Sequence, residues 1–157
     1  MKHTHLIVLA AMFFVNPASL ISNAPEKITA PVSTGELMDK ITILEIKTER
    51  ITNDQKRNHA AFELRSLKDA LDETALLTPE IEIQLEELTE QLLEVNKKLW
   101  DIEDAIRAKE AKKEYDEEFI EIARSVYINN RERHRLKREI NEITGSTIIE
   151  EKQYTEF

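Results

Sequence analysis

The stretch Pro79–Lys113, PEIEIQLEELTEQLLEVNKKLWDIEDAIRAKEAKK, decides the fold. Thr78 can cap a helix, and Pro79 then falls at the first helical position, where its missing N–H costs nothing. Ile81, Leu85, Leu88, Leu92, Val95, Leu99, Ile102 and Ile106 recur at alternating spacings of four and three. A period of 3.5 held over about four heptads is the pattern of a helix burying one stripe against other helices. Glu80, Glu82, Glu86 and Glu87 crowd its start and Lys109, Lys112 and Lys113 its finish, each sign complementing the helix dipole. At about 1.5 Å per residue the element should span roughly 50 Å.

Upstream of this rod, Ser33 or Thr34 can cap a helix over residues 35–52, with Glu36 favouring its N-terminal dipole. Leu37, Ile41, Leu44 and Ile51 give it a buried stripe, and Ile43 and Ile46 widen that stripe enough to predict cover on more than one side. Thr52-Asn53-Asp54 marks a stop and a new cap, opening a second helix over 54–73 with Ala60, Leu64, Leu67 and Leu71 in phase. Downstream, the seam meets Lys109 and Lys113 where apolar residues were due, and Glu114-Tyr115-Asp116 breaks the chain. A fourth helix over 116–144 carries Phe119, Ile122 and Val126 early and Leu136, Ile140 and Ile143 late, with Gly145 as its C-terminal cap. Short connections favour antiparallel neighbours. The expected fold is therefore all-α: an antiparallel helical bundle over residues 35–145, built on a long helical hairpin. The lead-in 25–34 and the tail 146–157 flank it, and Thr147-Ile148-Ile149 can form a very short strand pair with residues 28–32.

Residues 1–24 differ in kind. Lys2 is their only formally charged side chain, Leu6–Val15 is an apolar run, Asn16-Pro17 interrupts it, and Ser22-Asn23-Ala24 supplies small residues for a peptidase. A membrane span needs about 20 apolar residues. The segment reads as a cleaved secretory leader that sends the chain to the periplasm or outside the cell. An uncleaved anchor and a cytoplasmic extension are the alternatives. The formal charge is −9, and losing Lys2 with the leader makes it −10. Such an acidic chain disfavours nucleic acid as a partner, and membrane once the leader is gone. The run Arg131–Arg138 spreads its charges around the helix and reads as a solvated end.

Chemistry is sparse. There is no cysteine, so neither a disulfide nor a thiolate nucleophile is available. His59 and His134 lie far apart once His3 and His5 are assigned to the leader, so no metal site is expected. With only Gly35 and Gly145 there is no glycine-rich phosphate loop, and no catalytic residue or cofactor is implied.

Folding the hairpin about residue 114 places Ile106 opposite Ile122 and Ile102 opposite Val126, but Leu99 opposite Asn129 and Val95 opposite Arg133. The same register brings Asp104 near Arg124, Trp100 near Tyr127, and Asn96 near Arg131 or Arg133. Asn96, Trp100, Glu103 and Arg107 share one helical face. The candidate ligand site is thus Asn96, Trp100, Asp104, Arg107, Arg124, Tyr127 and Arg131. It has two readings: polar pairs that fix the register of a bundle, or a pocket for a small anionic or sugar-like ligand walled by Trp100.

The segments VSTGELMDKITILEIK (Val32–Lys47), NKKLWDIEDAIR (Asn96–Arg107), ARSVYINN (Ala123–Asn130) and LKREINEITGSTIIEE (Leu136–Glu151) resemble domain of unknown function 6165, an uncharacterised bacterial and phage family. The similarity covers nearly everything after Ile28. It implies a small helical domain with no assigned activity, sometimes found in proteins tied to glycosyltransferases or tetratricopeptide repeats. Typical members start at the Val-Ser-x-Gly-Glu segment, so the leader is a departure from the family pattern. A weaker similarity links Asp39–Arg50 to the helical chorismate mutases, which would imply cations clamping a dicarboxylate. The expected role is an exported, non-enzymatic interaction or scaffold domain that binds a protein partner or itself. The alternative is the ligand pocket, enzymatic in the chorismate-mutase-like case.

Overall fold

The structure, a computed structural model, describes residues 29–74 and 78–153; the expected leader lies outside them. The described helices all belong to the unit that begins at Pro31. They are α1 (Thr34–Arg50), α2 (Asp54–Asp72), α3 (Pro79–Lys112) and α4 (Glu117–Ile143). Each starts at a side chain that accepts from the backbone of its first turn. Ser33 Oγ accepts from Glu36 N–H at 3.2 Å, Asn53 Oδ1 from Lys56 at 3.0 Å, Thr78 Oγ1 from Ile81 at 3.4 Å and Asp116 Oδ1 from Phe119 at 3.0 Å. Lys113 (φ 57°) and Gly145 (φ 64°) take the left-handed conformation that ends α3 and follows α4.

α3 and α4 form the expected antiparallel hairpin, but the helix that touches all three others is α1. α2 packs on α1 alone. That is why α1 needs apolar residues on several faces: Leu44 and Ile46 are as fully buried as the Leu92, Leu136 and Ile140 of the hairpin. The central cluster joins Met38 and Ile41 of α1 to Leu85 and Leu92 of α3 and Leu136 and Ile140 of α4. Leu37 and Ile51, expected in the buried stripe of α1, are only half-buried, and Met38 takes the inner place. Leu64, Leu67 and Leu71 of α2 are also half-buried. Between α2 and α3 a cleft of about 420 Å³ remains, floored by Met38, Ile41, Leu71 and Leu85.

Gly35 sets how closely α1 approaches α4. A Cβ there would lie 2.2 Å from the Lys137 carbonyl oxygen, inside any tolerable contact. Its N–H, one of the donors a first helical turn leaves over, is given to Asn141 Oδ1 at 2.7 Å.

No strand occurs among the described residues, so the pairing expected between residues 28–32 and 147–149 is not formed over the part described. The start of the tail is tied to α4 instead. Ser146 N–H donates to Asn141 O at 2.9 Å, Ser146 Oγ donates to Ile148 O at 3.2 Å, and Glu150 reaches Lys137 at 2.7 Å.

Candidate functional site

Gly35, Asp39, Thr42 and Ile46 follow one another on α1 at spacings of four, three and four, which puts them on a single face. That face meets Arg133, Lys137 and Asn141 of α4, and Asn96 of α3. The result is a buried polar centre. Asp39, whose side chain is 3% exposed, accepts from Arg133 Nε at 2.7 Å and Nη2 at 2.5 Å, a fork-shaped pairing. Asn96 Nδ2 donates to Asp39 Oδ1 and to Thr42 Oγ1, both at 2.9 Å, and Thr42 Oγ1 donates to Asp39 O at 2.9 Å. Lys137 Nζ lies 2.5 Å from Glu36, 2.7 Å from Glu150 and 4.0 Å from Asp39.

The electrostatics follow from that packing. Asp39 holds the Arg133 guanidinium above its ordinary pKa, against the cost of burial. Burial works against the charge of Lys137, yet its hydrogen bonds to Glu150 and Glu36 outweigh that effect and raise its pKa. Lys137 in turn holds the Glu150 carboxyl below the usual range. Every charge in the centre is compensated from another element, as buried charges must be.

Of the candidate residues from the sequence, Asn96, Trp100 and Arg107 come together. With Ile43, Ile46, Leu99, Glu103, Asn130 and Arg133 they line a groove of about 340 Å³ where α1 leaves the hairpin. The other candidates do not join them. Asp104 accepts from Arg107 on its own helix at 2.5 Å, and Arg124 donates to Glu121 on its own helix at 3.0 Å, so the expected Asp104–Arg124 pair is absent. Arg124, Tyr127 and Arg131 line a separate depression on the outer side of α4 with Ile128 and Arg135. The reason is helical phase: at 100° per residue these three point away from Ile122 and Val126, the residues that face α3. The seven-residue constellation is therefore two surfaces, not one.

The run Arg131–Arg138 also divides. Arg131, Arg135 and Arg138 are exposed as expected, whereas Lys137 is buried and Arg133 half-buried in the polar centre. Sequence reasoning missed Asp39, Lys137, Glu36 and Asn141. A signal existed: Gly35, Asp39 and Thr42 recur in heptad-like phase on a helix otherwise rich in isoleucine. Among the described residues no group of His, Asp and Glu is placed to hold a metal ion, and no helix is long and apolar enough to cross a membrane.

Fold and site thus define an all-α bundle whose three core helices share one carboxylate–guanidinium–lysine centre. The model of a family described as a family of unknown function, DUF6165, matches residues 28–156, and the chain belongs to that family. No curated protein and no solved structure is significantly similar to it.

Proposed function

We propose that the protein is an exported, non-enzymatic interaction or scaffold domain whose hairpin tip is presented to a protein partner, a second copy of the chain included. One observation carries this. No residue of α3 beyond Leu99 and none of α4 before Leu136 is buried, although the apolar seam continues through Ile102, Ile106, Phe119, Ile122 and Val126. Tyr115, Ile120 and Ile128 stand exposed on the same stretch, at 57%, 48% and 54%. The tip is nonetheless braced. Lys109 Nζ holds Asp116 at 2.9 Å and Glu118 at 2.6 Å, Tyr115 Oη donates to Glu110 at 3.1 Å, and the rings of Tyr115 and Phe119 meet edge to face. A shaped, half-buried apolar extension suits recognition better than chemistry. Inward polar groups satisfy one another, which supports a structural role for the buried centre.

Export rests on the composition of residues 1–24, and mass analysis of the protein recovered from periplasmic and culture fractions tests it. Association is tested by light scattering over a dilution series, with affinity capture from native extracts, for the wild type and an Ile120→Glu, Ile128→Glu variant. Concentration-dependent mass or a stoichiometric partner lost in the variant supports the role. A strict monomer that captures nothing removes it.

A further inference from the structure

The groove beside the polar centre combines features that the interaction role does not use. Arg133 is clamped from behind by Asp39 through Nε and Nη2, which leaves Nη1 with a single long contact, 3.5 Å to Asn130 Oδ1. This guanidinium is fixed in place and still has donors to offer on the groove side. Arg107 stands at the mouth, its side chain 61% exposed, paired only within its own helix to Glu103 at 3.2 Å and Asp104 at 2.5 Å. Exposed pairs of that kind hold weakly and exchange easily. The half-buried indole of Trp100 and the buried Ile46 line the same groove. Acceptors are present too: the Glu103 carboxylate and Asn130 Oδ1.

We propose that this groove binds a small hydroxylated carboxylate of about the size of one sugar-acid ring. The carboxylate takes Arg107 at the mouth, where planar bidentate donors favour it over other acceptors, and the free edge of Arg133 donates to a ring hydroxyl. Further hydroxyl groups donate to the Glu103 carboxylate and Asn130 Oδ1, acceptors that a bare anion would not use. The less polar face of the ring lies on Trp100, an amphipathic wall of the kind that lines ligand sites. At about 340 Å³ the space is at the small end of ligand pockets and has room for one ring. This assignment goes beyond the interaction role and does not depend on it.

Trp100 is the only tryptophan in the chain, so its fluorescence reports on the groove directly. The experiment titrates the full chain with sodium D-glucuronate and, in parallel, with the neutral methyl glucoside, following emission and the indole N–H resonance. A saturable change with glucuronate, at least about tenfold weaker with the glucoside, is the expected result. Arg107→Ala, an exposed substitution whose fold is verified by its melting curve, should weaken glucuronate by several-fold. No saturable change, equal binding of the two compounds, or an unaltered affinity in Arg107→Ala each overturns the proposal.

Discussion

At its base the hairpin has α1 laid along it; at its tip α3 and α4 have only each other. Both regions carry the same heptad signal, yet Leu92 at the base is wholly buried and no tip residue is. The difference teaches that a seam of period 3.5 specifies which side of a helix turns inward, not how deeply. Depth depends on how many neighbours arrive, and α1 is long enough to reach only as far as Asp101, where Arg50 pairs with it. Charge treatment differs in parallel. Base charges are drawn from separate helices into a buried group, whereas tip charges pair mostly within one helix or across the turn, where solvent screening leaves each pair weak.

The sharpest way to break this contrast is to remove its central carboxylate. Asp39→Ala leaves Arg133 and Lys137 without their shared counter-charge in a buried setting, and should cost about 3–5 kcal/mol in chemical denaturation. Glu103→Ala at the groove mouth should leave the midpoint unchanged; equal losses would mean the base centre is no more than a surface pair. Next in size is a matched pair of truncations. Leu92→Ala should destabilise by about 3 kcal/mol and Ile106→Ala by about 1 kcal/mol, because the half-buried site loses less burial and water can fill what is left. A monomeric tip as costly to truncate as the base would show that the two regions are alike.

Smaller effects sharpen the boundary between the regions. Asn129 lies where the α4 seam passes from tip to base, and its amide donates only to Ser125 O of its own helix, at 2.7 Å. Asn129→Leu should therefore be neutral or stabilising by about 0.5–1 kcal/mol, read from the melting temperature; a clear loss would mean its amide is needed inside. Acid should then loosen the tail at the base and leave the helices intact. Glu150 has a folded pKa below the ordinary 4.5, so its contribution is complete above that value and fades as pH falls through the lowered one. Faster amide exchange of residues 146–150 at low pH, with α1–α4 still protected, is the expected pattern. Lys137 adds the opposite limb: its raised pKa keeps its contribution whole below the ordinary lysine value of 10.5 and loses it as pH climbs past the folded one.

Much of the fold was legible because its determinants are local. Caps at Ser33, Asn53, Thr78 and Asp116 and the left-handed stops at Lys113 and Gly145 act within a few residues of where they are written. Boundaries accordingly fall within two residues of those expected. The candidate site was half legible. Asn96, Trp100 and Arg107 share a helical face, so their grouping needed only phase. Pairing Arg124 with Asp104 and Tyr127 with Trp100 took nearness along a folded hairpin for facing side chains, and the outward phase of α4 separates them. The short strand pair is absent among the described residues, where Glu150 of the tail is paired with Lys137 of α4 instead.

Sequence alone determined the four helices, their polarity, the hairpin and which stripe of each helix is apolar, since period, caps and dipole charges are properties of short segments. Only the tertiary structure decided that α1 is the central helix and that Arg133 in the α4 seam is answered by Asp39, ninety-four residues away. A buried charge must find its counter-charge wherever packing brings one near, and no local pattern says from which helix it will come.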